Sequence, residues 1–232
     1  MRALPSRPNP RLRLRTWPEG VPAPGLYYRL MRRFFQVTMS ALWGVRVFNR
    51  HLEPADGGVV YICNHQSFLD PMLMSLALRR PMNYMARDSL FRPPVFRTLI
   101  RSLNAFPVRR GHADTAALKE AMRRLKAGGQ VVVFAEGTRT HDGRIGPLLP
   151  GVAMLARRAA RWTVPTVIDG AFECWPRRRM LPRPGNIVVA YDEPIPQSES
   201  RDADAEQFMA DVRERMIRLQ THLRRRAGRE PL

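Results

Sequence analysis

Lysine is almost missing from this 232-residue chain: Lys119 and Lys126 are the only two among its 39 basic residues. The rest are arginine, and against 20 acidic residues they leave a formal net charge of +19. Such a surface seeks anions, and the guanidinium fork matches phosphate geometry. Biased base composition also enriches arginine, so charge alone leaves nucleic acid, anionic lipid headgroups and phosphorylated substrates all open. Cysteine is scarce as well. Cys63 and Cys174 stand far apart, with no CxxC and no Cys/His ligand spacing, which argues against a disulfide scaffold or a structural zinc. They read as small buried hydrophobes in a reducing compartment. The stretch 1–25 is rich in Pro and Arg and lacks the apolar core of a signal peptide, so a flexible basic arm is expected there. There is no internal repeat, and the length suits one sizeable α/β domain, expected over 51–232.

Residues 26–48 carry a helical pattern with Leu26, Leu30, Phe34, Val37, Ala41, Val45 and Phe48 on one stripe. Tyr27, Met31, Phe35, Met39, Leu42 and Trp43 widen the apolar side beyond what one core contact requires. The charge-free interval 34–45 is too short to cross a bilayer, which takes about 20 residues. A helix lying in the interface of an anionic membrane over 26–50 is therefore expected. An ordinary helix covering the domain's own core would carry a similar pattern.

From residue 59 onward, short β-rich runs alternate with helical stretches. The runs are VVYIC (59–63), MNYMA (82–86), AFPV (105–108), VVVF (131–134), VPTVI (164–168) and IVVAY (187–191). This alternation predicts a largely parallel sheet with helices on its faces, in which function collects at the carboxyl ends of the strands. Asp114 is placed to cap a helix that stops at Gly128-Gly129. A last amphipathic helix is expected over 204–226, with Phe208, Val212, Met216 and Leu223 on its inner face.

Three constellations sit where strands end. In NHQSFLD (64–70), His65 and Asp70 bracket the passage from the first run to the helical PMLMSLAL. Asp70 before a proline reads as an ordinary N-cap. The same loop, folded back, would bring its carboxylate to one imidazole nitrogen and leave the other to take a proton from a hydroxyl. In AEGTRT (135–140), Gly137 permits close backbone approach and Arg139 supplies a bidentate fork, while Glu136 would orient that arginine or accept from a substrate hydroxyl. In AFPVRRG (105–111), Arg109 and Arg110 leave a strand together, with Arg110 placed to meet the same anion.

HQSFLD, ARDSLF, AFPVRRG, FAEGTRT and TVPTVIDGAF, in this order and over about residues 55–195, resemble the PlsC-type lysophospholipid acyltransferases, the 1-acyl-glycerol-3-phosphate acyltransferase family. The resemblance implies the glycerolipid acyltransferase form of the α/β fold, with an N-terminal docking helix. It makes His65 the general base and Asp70 its partner. It assigns acceptor phosphate to Arg110, Glu136, Gly137, Thr138 and Arg139, and the acyl donor or chain to Val164, Pro165 and Thr166. The implied reaction carries a fatty acyl group from acyl-CoA or acyl-carrier protein, as co-substrate, to the free hydroxyl of 1-acyl-glycerol-3-phosphate, with no metal or other cofactor. The implied place of work is the cytoplasmic face of the membrane, held peripherally, with nucleic acid not a partner. The chain departs from the family pattern at Ala135, where proline is usual, at Arg109, where aspartate is common, and near PLLPG, where a lysine is absent. The last departure bears on the acceptor and leaves another lysolipid, such as lyso-ornithine lipid, as the alternative. A catalytically silent basic protein on membrane or nucleic acid is the reading outside this class.

Overall fold

Every position of the strand Val59–Cys63 is buried, yet its side chains divide between two cores. Val60 and Ile62 join one cluster, while Val59, Tyr61 and Cys63 join the other. That period of two, with both faces apolar, is the signature of a strand covered by helices on both sides. The molecule is described here from a computed structural model, over residues 25–109 and 114–232. The expected arm at 1–25 lies outside the described residues except for Gly25.

In chain order the elements are α1 (Leu26–Leu42), β1 (Gly44–Phe48), β2 (Val59–Cys63), α2 (Asp70–Ala77), β3 (Met82–Arg87), α3 (Pro94–Ser102), β4 (Ala105–Val108), α4 (Thr115–Lys126), β5 (Gln130–Phe134), α5 (Ala153–Arg158), β6 (Trp162–Asp169), α6 (Ala171–Cys174), β7 (Asn186–Tyr191), β8 (Ile195–Pro196), α7 (Gln197–Arg201) and α8 (Ala205–Arg226). The sheet order is β1-β7-β6-β2-β5-β3-β4, with β8 beside β6. β2 pairs in parallel with both β5 and β6, whereas β7 runs antiparallel to β6. Residues of α4, α5 and α8 cover one face. Met39 and Trp43 at the α1 end, together with α2, cover the other. The six anticipated strands are all present, in the mostly parallel sheet that the alternation predicts. Asp114 caps α4 by accepting from the Ala117 amide at 3.0 Å, and Gly128, at φ 81°, ends the turn that follows.

The first helix is shorter than the pattern suggests. It ends at Leu42, and GVRVF forms β1, parallel to β7 in the register Val45↔Ile187 and Val47↔Val189. Two β-branched valines two positions apart suit a pleated ladder, and at Gly44 a Cβ would meet Asn186 Oδ1. The inward side of α1 is Tyr28, Phe35 and Met39, with Trp43 just beyond its end. Leu26, Leu30, Phe34 and Val37 of the anticipated stripe, and Leu42 beside it, face outward, each more than half exposed. Among the described residues no helix is long and apolar enough to cross a membrane.

Candidate active site

β2 ends at Cys63, and the four residues that follow are each fixed by their own hydrogen bonds. Asn64 continues the ladder with its side chain: Nδ2 donates to the Ile168 carbonyl at 2.9 Å and Oδ1 accepts from the Ile168 amide at 2.8 Å. Gln66 spans two loops, donating to the Gly143 carbonyl at 2.9 Å and accepting from the Phe172 amide at 3.2 Å. Ser67 donates its hydroxyl to the Trp175 carbonyl at 2.8 Å. A buried polar run of this kind is tolerable only because its partners are in place.

Into that frame is set the pair His65 and Asp70. The imidazole Nδ1 lies 2.6 Å from Asp70 Oδ2, with both side chains buried. Asp70 Oδ2 also accepts the backbone N–H groups of Gln66 and Ser67, at 2.6 and 2.7 Å. An ionised carboxylate oxygen that accepts two amides can only accept from the ring as well, so this contact calls for the tautomer with hydrogen on Nδ1, whose Nε2 lone pair can accept a proton. Beneath the ring lies Phe134, stacked with centroids 4.2 Å apart. The capping expectation for Asp70 is corrected here. Asp70 is the first residue of α2, Leu69 stands at the N-cap, and the carboxylate turns back onto the preceding loop instead of capping the helix that follows.

The loop after β5 closes over the same frame. Thr140 donates its amide to the His65 carbonyl at 2.8 Å. Glu136 Oε1 accepts the His65 amide at 2.9 Å and Oε2 accepts the Gly146 amide at 3.1 Å. Burial pushes the Glu136 carboxyl above its usual range, and the two amide bonds pull against that. Glu136 thus braces the backbone of His65. Gly137 has φ 71°, and a Cβ there would stand 3.0 Å from Leu149 Cδ1. The Arg139 guanidinium lies 3.5 Å from the centroid of Phe68, on the loop between His65 and Asp70, and Thr138 is exposed beside it.

The structure therefore brings His65, Asp70, Glu136, Gly137 and Arg139 into two interlocked loops at the carboxyl ends of β2 and β5. Arg110 falls outside the described residues. Val164, Pro165 and Thr166 lie buried within β6, in register with Tyr61, Ile62 and Cys63, and do not reach the surface. Asn64, Gln66 and Phe134 are the positioning residues that sequence reading passed over. For Asn64 and Gln66 the signal was an unbroken polar run directly after a fully apolar strand, whereas Phe134 reads as one more apolar residue of β5. Both thiols are held protonated by burial, Cys63 well above its usual range and Cys174 pushed up to about 11. Among the described residues no group of three or more His, Cys, Asp and Glu side chains is placed to hold a metal ion. Beside the site a cavity of about 190 Å³ opens between Thr140 and His141 on one side and Arg177 and Arg178 on the other.

Comparison with known proteins gives the chain its relatives. The family model described as Acyltransferase matches residues 44–169. The 1-acyl-sn-glycerol-3-phosphate acyltransferase of Bacillus subtilis is 27% identical over 188 residues, covering 81% of this chain and 92% of that protein. The chloroplastic 1-acyl-sn-glycerol-3-phosphate acyltransferase LPAT1 of Arabidopsis thaliana is 29% identical over 170 residues, 72% of this chain, which spans 46% of that relative's length. The crystal structure of the lysophosphatidic acid acyltransferase PlsC from Thermotoga maritima superposes with a TM-score of 0.71 at 25% identity, covering 81% of this chain and 77% of that one.

Proposed function

The chain belongs to the acyltransferase family, and from that premise we propose how its two interlocked loops perform the reaction. It is an acyltransferase of the PlsC type, and it acylates 1-acyl-glycerol-3-phosphate to phosphatidate. His65 Nε2 takes the proton of the acceptor's free hydroxyl as that oxygen attacks the thioester carbonyl of the donor. Asp70 stabilises the imidazolium that forms. The carbon–sulfur bond then breaks, the new ester leaves, and the imidazolium returns its proton to the thiolate. No acyl-enzyme is required, which fits two cysteines that burial keeps protonated.

Arg139, steadied over Phe68, and Arg110 hold the acceptor's phosphate. Glu136, Gly137 and Thr138 shape the loop that presents Arg139, and fixing the phosphate places the hydroxyl beside the base. Val164, Pro165 and Thr166 form the buried wall behind the acyl chain. Acyl-CoA or acyl-carrier protein supplies the thioester. The outward stripe Leu26, Leu30, Phe34 and Val37, with Arg29 and Arg33 exposed among it and no acidic residue in α1, lays that helix on an anionic membrane at its cytoplasmic face. Because β1 belongs to the sheet, the catalytic domain begins at Gly44 instead of at the expected residue 51.

The observation that carries this reading is the 2.6 Å contact between His65 Nδ1 and Asp70 Oδ2 at the mouth of two strands. The deciding experiment is thioester consumption by purified protein with 1-acyl-glycerol-3-phosphate and, separately, with lyso-ornithine lipid. Turnover with the first and its loss in His65→Ala are expected. Undiminished turnover in His65→Ala, with folding intact by circular dichroism, refutes the assignment.

A further inference from the structure

We propose that residues 175–185, between α6 and β7, form a second membrane-docking element that inserts its tip into an anionic bilayer at the edge of the active site. It rests on the reading that the acceptor is a lipid drawn from such a surface. At the tip, Met180 and Leu181 are 91% and 75% exposed, the most water-exposed pair of large apolar neighbours among the described residues. Such side chains are normally single and shallow on a soluble surface, and a protruding pair calls for a partner. Around them stand Arg177, Arg178, Arg179 and Arg183, and no acidic residue occurs between Glu173 and Asp192. Apolar tip and basic collar together match an anionic bilayer, with acyl chains beneath a layer of headgroup phosphates. A nucleic acid would engage the arginines and leave Met180 and Leu181 in water.

The tip is held out by construction. The Arg183 amide donates to the Cys174 carbonyl at 2.8 Å and closes the base of the loop. The Trp175 indole donates to the Arg179 carbonyl at 3.0 Å, and the Arg179 amide turns back to the Pro176 carbonyl at 3.1 Å. Two elements already described meet this base. The Trp43 indole, just past α1, donates to the Arg183 carbonyl at 2.7 Å, joining the loop to the helix whose outer stripe faces solvent. On its other side the Trp175 carbonyl accepts from the Ser67 hydroxyl, and the Trp175 ring lies 5.3 Å from that of Phe68. The loop therefore connects the first docking helix to the loop that carries His65. A lipid leaving the bilayer at this point emerges beside the loop that carries the base.

The test uses the full chain and reads binding, not turnover. Met180→Cys is labelled with an environment-sensitive fluorophore, Cys63 and Cys174 being buried, and titrated with vesicles of phosphatidylcholine alone or mixed with phosphatidylglycerol. A blue shift with the mixed vesicles is expected, together with a roughly ten-fold or greater fall in sedimentation with them for the pair Met180→Ser and Leu181→Ser. Replacing Arg177 and Arg178 with Ser should cost roughly five-fold per residue, less at high salt. Melting temperatures of the variants check that they fold. An unshifted label, or serine variants that sediment like the parent, overturns the proposal. So does loss of duplex DNA binding in the arginine variants with vesicle binding unchanged. A parent chain that binds vesicles through this loop yet consumes no thioester with any lysolipid overturns the enzymatic reading instead, so the two failures are distinguishable.

Discussion

Glu136 holds His65 by its main chain: the carboxylate Oε1 accepts the His65 amide at 2.9 Å while the ring is held by Asp70. The acidic residue of the AEGTRT segment thus positions His65. Its substitution should act on the chemical step before it acts on the acceptor's phosphate.

In Glu136→Gln one of the two amides, His65 or Gly146, faces an NH₂ group in place of an acceptor. A fall in kcat of roughly 10- to 100-fold is expected, with the acceptor's KM little changed, because a small displacement of the base is costly. A rise in KM alone would instead place Glu136 on the phosphate. The same variant has a stability readout. Burial raises this carboxyl, so the folded chain holds its proton more tightly than the unfolded chain does. Its contribution is present below the usual carboxylate range and is lost as pH rises through the raised value. Melting temperature against pH should flatten there in Glu136→Gln.

Asp70→Asn keeps an oxygen for the Gln66 and Ser67 amides but removes the charge that stabilises an imidazolium. A fall in kcat of about 10²- to 10⁴-fold is expected, with circular dichroism unchanged. Steady-state kinetics on the purified variant check it.

Phe68→Ala removes the face on which the Arg139 guanidinium rests. The acceptor's KM should rise several-fold, and Arg139→Lys should not reproduce the native value, because an ammonium neither stacks nor forks. A change confined to acyl-chain preference would contradict the clamp.

Gly137→Ala meets both a left-handed backbone and a 3.0 Å contact with Leu149 Cδ1. A loss of about 1 kcal/mol or more in chemical denaturation is expected. An unchanged midpoint would show that the loop yields without cost.

Glu120 bonds Arg123 and Arg124, and its carboxyl drops from 4.5 to about 2, first through the Arg123 hydrogen bond. A depressed carboxyl contributes stability above its ordinary pKa and loses it as pH falls through the depressed one. The difference in melting temperature between the parent chain and Glu120→Gln should be constant from pH 7 down to about 4.5 and shrink toward about 2. The pair is partly solvated, so the difference is small.

The strands were legible because their apolar runs are short, β-branched and separated by helical stretches, and the sheet follows from that alternation. β1 was not, since Val45 and Phe48 also fit the helical phase of the residues before them; only pairing with β7 decides for a strand. The His65–Asp70 pair was visible from its spacing at a strand's end. Glu136's partners were not, because they are backbone amides, which no residue type announces. Asp70 misled for a related reason. Its carboxylate can serve the amides after it or before it, and the sequence reads the same in both cases.

The reversal of β7 against β6 has a geometric consequence. A parallel crossover returns the chain to the opposite rim of a sheet before the next strand begins. By turning back instead, the segment between Asp169 and Asn186 stays at the rim that carries His65 and Asp70, and β1, aligned with β7, starts from that rim too. The reversal of β7, with β1 running beside it, therefore gathers the end of α1, the 175–185 loop and His65 along a single border of the sheet.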